Sequence, residues 1–184
     1  MERQLSETLD GIHKGHKRRY EFAATKAKDF ILDAACGCGY GSKILDSVGV
    51  VTGVDLEQEA IDFAQKHYPG PYYRLGDVCE SQGLFDWVVS FETIEHLASP
   101  EKALKCFRDS ENLILSTPNS EKFPFRPDSY KGDRFPHLRH YTAKELEELL
   151  NSTGWKVTEK HCQIEKLSPV TLGVGGMFHV WVCK

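Results

Sequence analysis

The run Phe91-Glu92-Thr93-Ile94-Glu95-His96-Leu97 places two carboxylates and an imidazole close together in the chain. If the backbone turns helical after Phe91, Glu92, Glu95 and His96 fall at i, i+3 and i+4, on one helical face. Such a grouping could take a proton from a hydroxyl nucleophile, with His96 or Glu92 as the base. The site is expected to work without a metal; the alternative is that it holds a divalent cation, with His137 or His140 as an added ligand, so that the metal set would be Glu92, Glu95, His96 and His137. A histidine bonded only to backbone is the third reading of His96. Two more acids, Asp55 and Asp77, stand where strands are expected to end.

What these side chains can do depends on the elements that carry them. Phe30 to Ala35 is an apolar run that passes into Cys36-Gly37-Cys38-Gly39-Tyr40-Gly41-Ser42, after which the pattern turns helical from about Tyr40 to Ser47. Further strands are expected at Val50 to Val54, Tyr72 to Leu75, Phe85 to Phe91 and Leu113 to Ser116. Helices are expected from Glu57 to His67, stopped by Pro69-Gly70-Pro71, and from Pro100 through Phe107 with Ser99 as its cap. Thr142-x-x-Glu145 is a capping box ahead of Leu146, Leu149 and Leu150, with Gly154 as the stop. Trp155 to His161 and Met177 to Cys183 alternate like an antiparallel pair of strands. Ahead of them all, Gly15 to Lys28 reads as a helix whose Lys14, Lys17, Arg18 and Arg19 form a solvated face. Strands alternating with helices describe an α/β fold, an open and mostly parallel sheet covered on both sides.

Composition bounds the partners. The 184 residues, 40% hydrophobic and 27% charged, suit one domain over 1–184, with 1–28 as a helical N-terminal segment. No apolar run reaches the roughly 18 residues of a membrane span, and the first residues lack a signal-peptide core, so a cytoplasmic protein with no membrane partner is expected. The six cysteines contain no C-x-x-C pair, which points to reduced thiols, and Cys36-x-Cys38 reads as a pair of small turn residues. A net charge of -4 gives no overall attraction to nucleic-acid phosphates. Nothing in the sequence speaks to oligomeric state.

Ligands of such sheets bind outside the carboxyl ends of the strands, and those ends carry the glycine turn, Asp55, Asp77 and Glu92 to His96. Glycines let the backbone approach a bound molecule, and the helix start after them offers unpaired N–H groups. Asp55 can accept hydrogen bonds from ribose hydroxyls. The spacing Gly37-x-Gly39-x-Gly41 is not G-x-G-x-x-G, because position 42 is Ser, and no Gly-Lys-Ser/Thr follows as in a P-loop. A nucleoside ligand without a pyrophosphate fits better than a dinucleotide or a nucleoside triphosphate.

Taken in order, these residues resemble the class I S-adenosylmethionine-dependent methyltransferases, in the branch that modifies small molecules and glycans. Ile31 to Ser42 is similar to their first motif, Val54-Asp55 to the second, Gly76-Asp77-Val78 to the third, Phe85 to Leu97 to the fourth, and Leu113 to Asn119 to the fifth strand and its exit. The resemblance runs from about Arg19 to Lys184. It implies a Rossmann-like three-layer sandwich around a seven-stranded, mostly parallel sheet with an antiparallel last strand, and S-adenosyl-L-methionine as cofactor. It also implies that the turn from Ala35 through Cys36 and Gly37 to Gly39 passes under the methionine part, Asp55 holds the ribose, and Asp77 with the Val78 amide reads the adenine edge. Arg19 would pair with the cofactor carboxylate, and Asp33, Leu56 and Phe91 complete the cofactor set. Two departures stand out. Ala35 replaces a glycine of many relatives, and Arg108 to Asn112 is shorter than their Pro-Gly-Gly connection.

Between Thr117 and Tyr141 the chain loses periodicity, as functional loops do. Phe123, Phe125, Arg126, Tyr130, Arg134, Phe135, His137 and Tyr141 interleave aromatic and basic groups, a composition that could stack on nucleic acid or close over a sugar or acidic small molecule. Pro136 to Thr142 resembles the border of the acceptor pocket in relatives attached to sugar and polysaccharide pathways, so 117–141 is read as a lid and the acceptor as a small molecule or glycan. The expected reaction is methyl transfer to a hydroxyl. Two alternatives stay open: metal-assisted methylation of an RNA ribose, where a similar Glu-x-x-Glu-His grouping serves a metal, and a cofactor-binding protein without catalysis.

Overall fold

The first strand shows how the layers are set. In a computed structural model that describes residues 6–80 and 82–184, β1 (Asp29–Ala34) alternates its side chains between two cores. Ile31 packs with Tyr20, Leu45, Val51 and Val89, while Leu32 and Ala34 pack with Leu104, Phe107, Leu146 and Leu150. The first core is closed by α1 (Lys14–Ala24) and α2 (Tyr40–Leu45). The second is closed by α4 (Pro100–Cys106) and α5 (Ala143–Ser152). The remaining elements are β2 (Gly49–Asp55), α3 (Gln58–His67), β3 (Tyr72–Leu75), β4 (Trp87–Phe91), β5 (Asn112–Pro118), β6 (Val157–Gln163), β7 (Val170–Leu172) and β8 (Phe178–Cys183).

The strands form one sheet in the order β3-β2-β1-β4-β5-β8-β6-β7. The first five strands are mutually parallel, and β8 runs antiparallel between β5 and β6. The α/β sandwich and the antiparallel last strand agree with expectation, but the sheet has eight strands, not seven. The additional one, β7, pairs antiparallel with β6 at the sheet edge. Its three residues are half-buried or exposed and too short to show an alternation in the sequence. The capping box forms as expected, with the Thr142 side chain and the Glu145 side chain each bonded to the other's backbone N–H. Ser99 makes no side-chain cap bond, although Pro100 does open α4. Helix α1 ends at Ala24, short of Lys28, where the Thr25 hydroxyl donates to the Phe22 carbonyl.

Two local departures bear on the site. Glu92 takes a left-handed φ of 52°, and only a single 3-10 turn, Ile94–His96, follows it. Glu92, Glu95 and His96 therefore do not share an α-helical face. The segment after β5 is irregular apart from a 3-10 turn at Pro127–Tyr130, and its two ends are tied by a bridge between Asn119 and Tyr141. Among the described residues no helix is long and apolar enough to cross a membrane.

Candidate active site

The chain leaves β1 through three left-handed residues, Ala35 (φ 64°), Gly37 (φ 54°) and Gly39 (φ 86°), before α2 begins. The two glycines serve different ends. A Cβ on Gly37 would meet nothing within 4 Å, whereas one on Gly39 would sit 2.5 Å from the Ala64 Cβ. Space for a ligand therefore opens over Gly37, and Gly39 is required by packing against α3 as well as by its φ. Ala35 adopts a left-handed backbone conformation that costs an L-residue about 1 kcal/mol.

Asp55, at the end of β2, accepts hydrogen bonds from the Gly37 N–H at 2.8 Å and the Glu57 N–H at 3.0 Å. It fixes the turn and the start of α3 in one stroke. Asp77 accepts from the Cys79 N–H at 2.8 Å, holding the segment after β3 in a tight turn. Asp33 takes no part in the open surface. It is fully buried, accepts from the Tyr20 hydroxyl at 3.0 Å and the Ser42 hydroxyl at 2.6 Å, and clasps α1 and α2 onto β1. Burial pushes its carboxyl up to about 6.

A cavity of about 230 Å³ runs along the strand ends. Of the residues singled out in the sequence, Ala35, Cys36, Gly37, Asp55, Leu56, Asp77, Val78, Phe91, Glu92 and His96 line it. Arg19, Asp33, Gly39, Glu95 and His137 do not. Sequence reasoning missed His16, Thr93, Leu97 and the ring positions of Tyr20 and Tyr40 in the same wall. His16 accompanies Tyr40, its Nδ1 lying 3.1 Å from the Tyr40 hydroxyl, and burial lowers the imidazole to about 3. No local pattern marks His16, since its partner is brought by a separate helix.

The wall around Glu92 and His96 is made of groups whose partners are far away in sequence. Glu92 accepts from the Ser116 hydroxyl at 2.7 Å through Oε1, while Oε2 has no hydrogen-bond partner. Arg19, read from the sequence as solvated, is instead 1% exposed, with Nη2 4.0 Å from Glu92 Oε1. Glu95 is fully buried and accepts from the Thr117 hydroxyl at 3.0 Å through Oε2. Burial, and then the repulsion of Glu92, raises the Glu95 carboxyl well above the ordinary carboxylate range.

The histidines can be assigned tautomers from their carbonyl partners, because a carbonyl only accepts. His96 Nδ1 lies 3.2 Å from the Pro136 carbonyl and carries its proton there, leaving Nε2 as a bare lone pair. His140 Nδ1 lies 2.7 Å from the Phe123 carbonyl, so its Nε2 accepts, from Tyr130 at 3.1 Å and from His137 Nδ1 at 2.8 Å. His137 therefore also presents a bare Nε2, which has no partner and is buried. Burial lowers all three imidazoles, His137 to about 3, and keeps them neutral. Ligand atoms of Glu95, His96 and His137 all lie within 4.8 Å of one another. Glu92, expected in that set, falls outside the group because its left-handed backbone turns it toward Ser116.

The segment over this wall is tied down at several points. The Leu138 N–H donates to the Glu95 carbonyl at 2.8 Å, Tyr130 stacks on His137 at 4.2 Å between ring centres, and Phe135 lines the cavity. On the far side Arg134, 69% exposed, pairs with Glu57 at 2.7 Å. The segment thus reaches from the Glu95 side of the cavity to the α3 side.

Comparison with known proteins follows the same outline. The model of a family described as a methyltransferase domain matches residues 1–160. A probable S-adenosylmethionine-dependent methyltransferase of Mycolicibacterium smegmatis is 31% identical over 137 residues, 70% of this chain and 52% of that protein. A ubiquinone biosynthesis O-methyltransferase of Coxiella burnetii is 30% identical over 101 residues, covering 48% of this chain and 43% of the relative. The chain spans about half the length of the curated relatives it matches. Among solved structures, magnesium protoporphyrin IX methyltransferase from Synechocystis PCC 6803 with bound SAH has the same fold, with a TM-score of 0.68, 15% identity, and coverage of 96% of this chain and 87% of the other.

Proposed function

We propose, from the premise that this chain belongs to the class I S-adenosylmethionine-dependent methyltransferases, that it transfers a methyl group from S-adenosylmethionine to a hydroxyl of a small molecule or glycan. One observation carries the reading: a single cavity is lined at one end by Gly37, Asp55, Asp77 and Val78, and at the other by Glu92 and His96. The open space over Gly37 and the carboxylate at the end of β2 fit a nucleoside-bearing cofactor. Asp55 would hold the ribose hydroxyls, Asp77 and the Val78 amide the adenine edge, and the turn from Ala35 to Gly37 the methionine part. Bound there, the cofactor supplies a methyl group on a sulfonium, an electrophile that needs no further activation.

The protein's remaining work is alignment and proton removal. The lone pair on His96 Nε2 and the unpartnered Glu92 Oε2 can each accept a hydroxyl proton, and His96 is neutral and ready to do so at pH 7. Leu97 and Phe135 make the same wall apolar, which excludes competing water. The reading is tested by calorimetry with S-adenosylmethionine and by a tritiated methyl-transfer screen of sugar, lipid and RNA extracts. Wild type is expected to bind the cofactor and label a sugar or small-molecule acceptor, and Gly37→Leu, which fills the open space, is expected to abolish binding. A wild type that binds no cofactor, or labels only RNA, would sink it.

A second reading, metal-assisted transfer to a ribose hydroxyl, is favoured by a separate observation. Glu95 Oε1 and His137 Nε2 are buried without hydrogen-bond partners, and ligand atoms of both residues lie close to one of His96. Two imidazoles and a carboxylate suit a divalent transition cation better than magnesium or calcium. Such a cation would polarise the acceptor oxygen. Titration with Mn²⁺ or Zn²⁺ should then show one site per chain that His137→Ala removes, together with RNA labelling lost in chelator. Labelling unaffected by chelator rejects it.

A further inference from the structure

Of the four basic residues at the start of α1, only Arg19 is buried. Isolating a guanidinium from water costs several kcal/mol unless its charge and donors are answered. Here the answer is partial. Arg19 Nη1 donates to Gln163 Oε1 at 2.7 Å, and the guanidinium lies 4.8 Å from the centre of the Phe178 ring, but Nε and Nη2 have no hydrogen-bond acceptor. A methionine would satisfy packing at less cost, so stability alone does not explain the residue. Among the described residues its ion pair is with Glu92, the carboxylate in the cavity wall.

Gln163, the last residue of β6, is fully buried and has every polar atom engaged. Its Nε2 donates to the Gly15 carbonyl at 3.1 Å and the Ser168 carbonyl at 2.6 Å, which forces the amide oxygen toward Arg19. Its surroundings leave no slack. A Cβ on Gly15 would lie 1.8 Å from the Lys166 carbonyl oxygen, so the first turn of α1 is pressed against the segment that follows β6. Arg19 is thereby held from behind and cannot swing toward the cavity, whose wall it does not join.

We propose that Gln163 and Arg19 are positioning residues that hold Glu92 by Oε1, together with Ser116, leaving Oε2 as the carboxylate oxygen without a protein partner in the cavity wall. The inference rests on the reading of the cavity as a methyl-transfer site, and it assigns Arg19 to the acceptor carboxylate in place of the cofactor carboxylate. The arm joins α1, the end of β6 and the residue after β4, three places with no sequence proximity.

The test uses full-length protein labelled with ¹³C at the glutamate carboxyls, in chelator and at one pH, with the Glu92 resonance identified by its loss in Glu92→Gln. Gln163→Met and Arg19→Gln are each expected to move that resonance, and the double variant to move it no further than Arg19→Gln alone. The affinity for S-adenosylmethionine is expected to stay within about twofold in Gln163→Met, the size of an uncoupled change. Arg19→Gln leaves the Gln163 bonds to Gly15 and Ser168 in place, so it decides the matter if Gln163→Met fails to fold. A Glu92 resonance that stays fixed in Arg19→Gln overturns the proposal. So does a cofactor affinity that falls about tenfold or more in both variants, which would return Arg19 to the cofactor. A wild type that binds no cofactor at all defeats the methyl-transfer reading, while the resonance still reports whether the arm holds Glu92.

Discussion

The two ends of the cavity are built in different ways. At the donor end the functional groups are held by backbone within a few residues or by the neighbouring strand: Asp55 grips Gly37 and Glu57, and Asp77 grips Cys79. At the acceptor end Glu92 leans on Ser116 and Arg19, Glu95 on Thr117, and His96 on Pro136. The donor end thus presents one shape whatever surrounds it. The acceptor end depends on charges and hydroxyls assembled from β4, β5, α1 and the segment up to Tyr141.

The difference can be broken or sharpened by substitution. Asp55→Ala should act most strongly, lowering S-adenosylmethionine affinity about 100-fold in calorimetry, because the Gly37 and Glu57 N–H groups lose their carboxylate and, on the proposed reading, the ribose loses it too. A loss below about threefold would mean that the turn stands without Asp55. Asp33→Asn probes the scaffold beneath the turn. The native Asp33 carboxyl titrates near 6, above the ordinary value, so between about pH 4 and 6 the unfolded chain ionises while the folded chain stays protonated. Wild-type stability should therefore fall over that window by about 2–3 kcal/mol relative to Asp33→Asn, as read from urea unfolding at several pH values. Parallel curves would reject the raised carboxyl.

Smaller effects separate the two ends further. Thr117→Val removes the hydroxyl that donates to Glu95 Oε2 and should lower unfolding free energy by about 1–2 kcal/mol while leaving cofactor affinity unchanged. Cofactor affinity that fell with it would show that the two ends are coupled. Ala35→Gly relieves a left-handed φ at the cost of chain entropy, and the net gain should be about 0.5 kcal/mol in the same unfolding assay. Weaker cofactor binding in that variant would show that the Ala35 methyl group contacts the ligand.

Legibility in the sequence follows the same division. The glycine turn and the Thr142 to Glu145 box could be read because each depends on residues a few positions apart, the turn also on φ values that only some residues favour. Arg19 was misread as solvated because its neighbours Lys17 and Arg18 are only half-buried and its partners, Gln163 and Glu92, stand at the far ends of other strands. The run from Glu92 to His96 suggested a helix by its spacing, yet the positive φ at Glu92 and the ladder bond from its N–H to the Ser116 carbonyl break that pattern. No local rule places a left-handed glutamate. Strand β7 escaped because its pairing with β6 uses backbone groups, which leave no mark in side-chain type.

The bridge between Asn119 and Tyr141 has a consequence for how such a protein can change over generations. Tyr141 N–H donates to the Pro118 carbonyl at 3.2 Å and Ser120 N–H to the Tyr141 carbonyl at 3.0 Å, so the excursion over the acceptor end departs and returns at one point of the sheet. Loop closure costs only about 0.6 kcal/mol per doubling of length, so added residues between the two ends cost little in closure itself, and the His96–Pro136, Leu138–Glu95 and Arg134–Glu57 contacts mark the positions where an insertion would be felt.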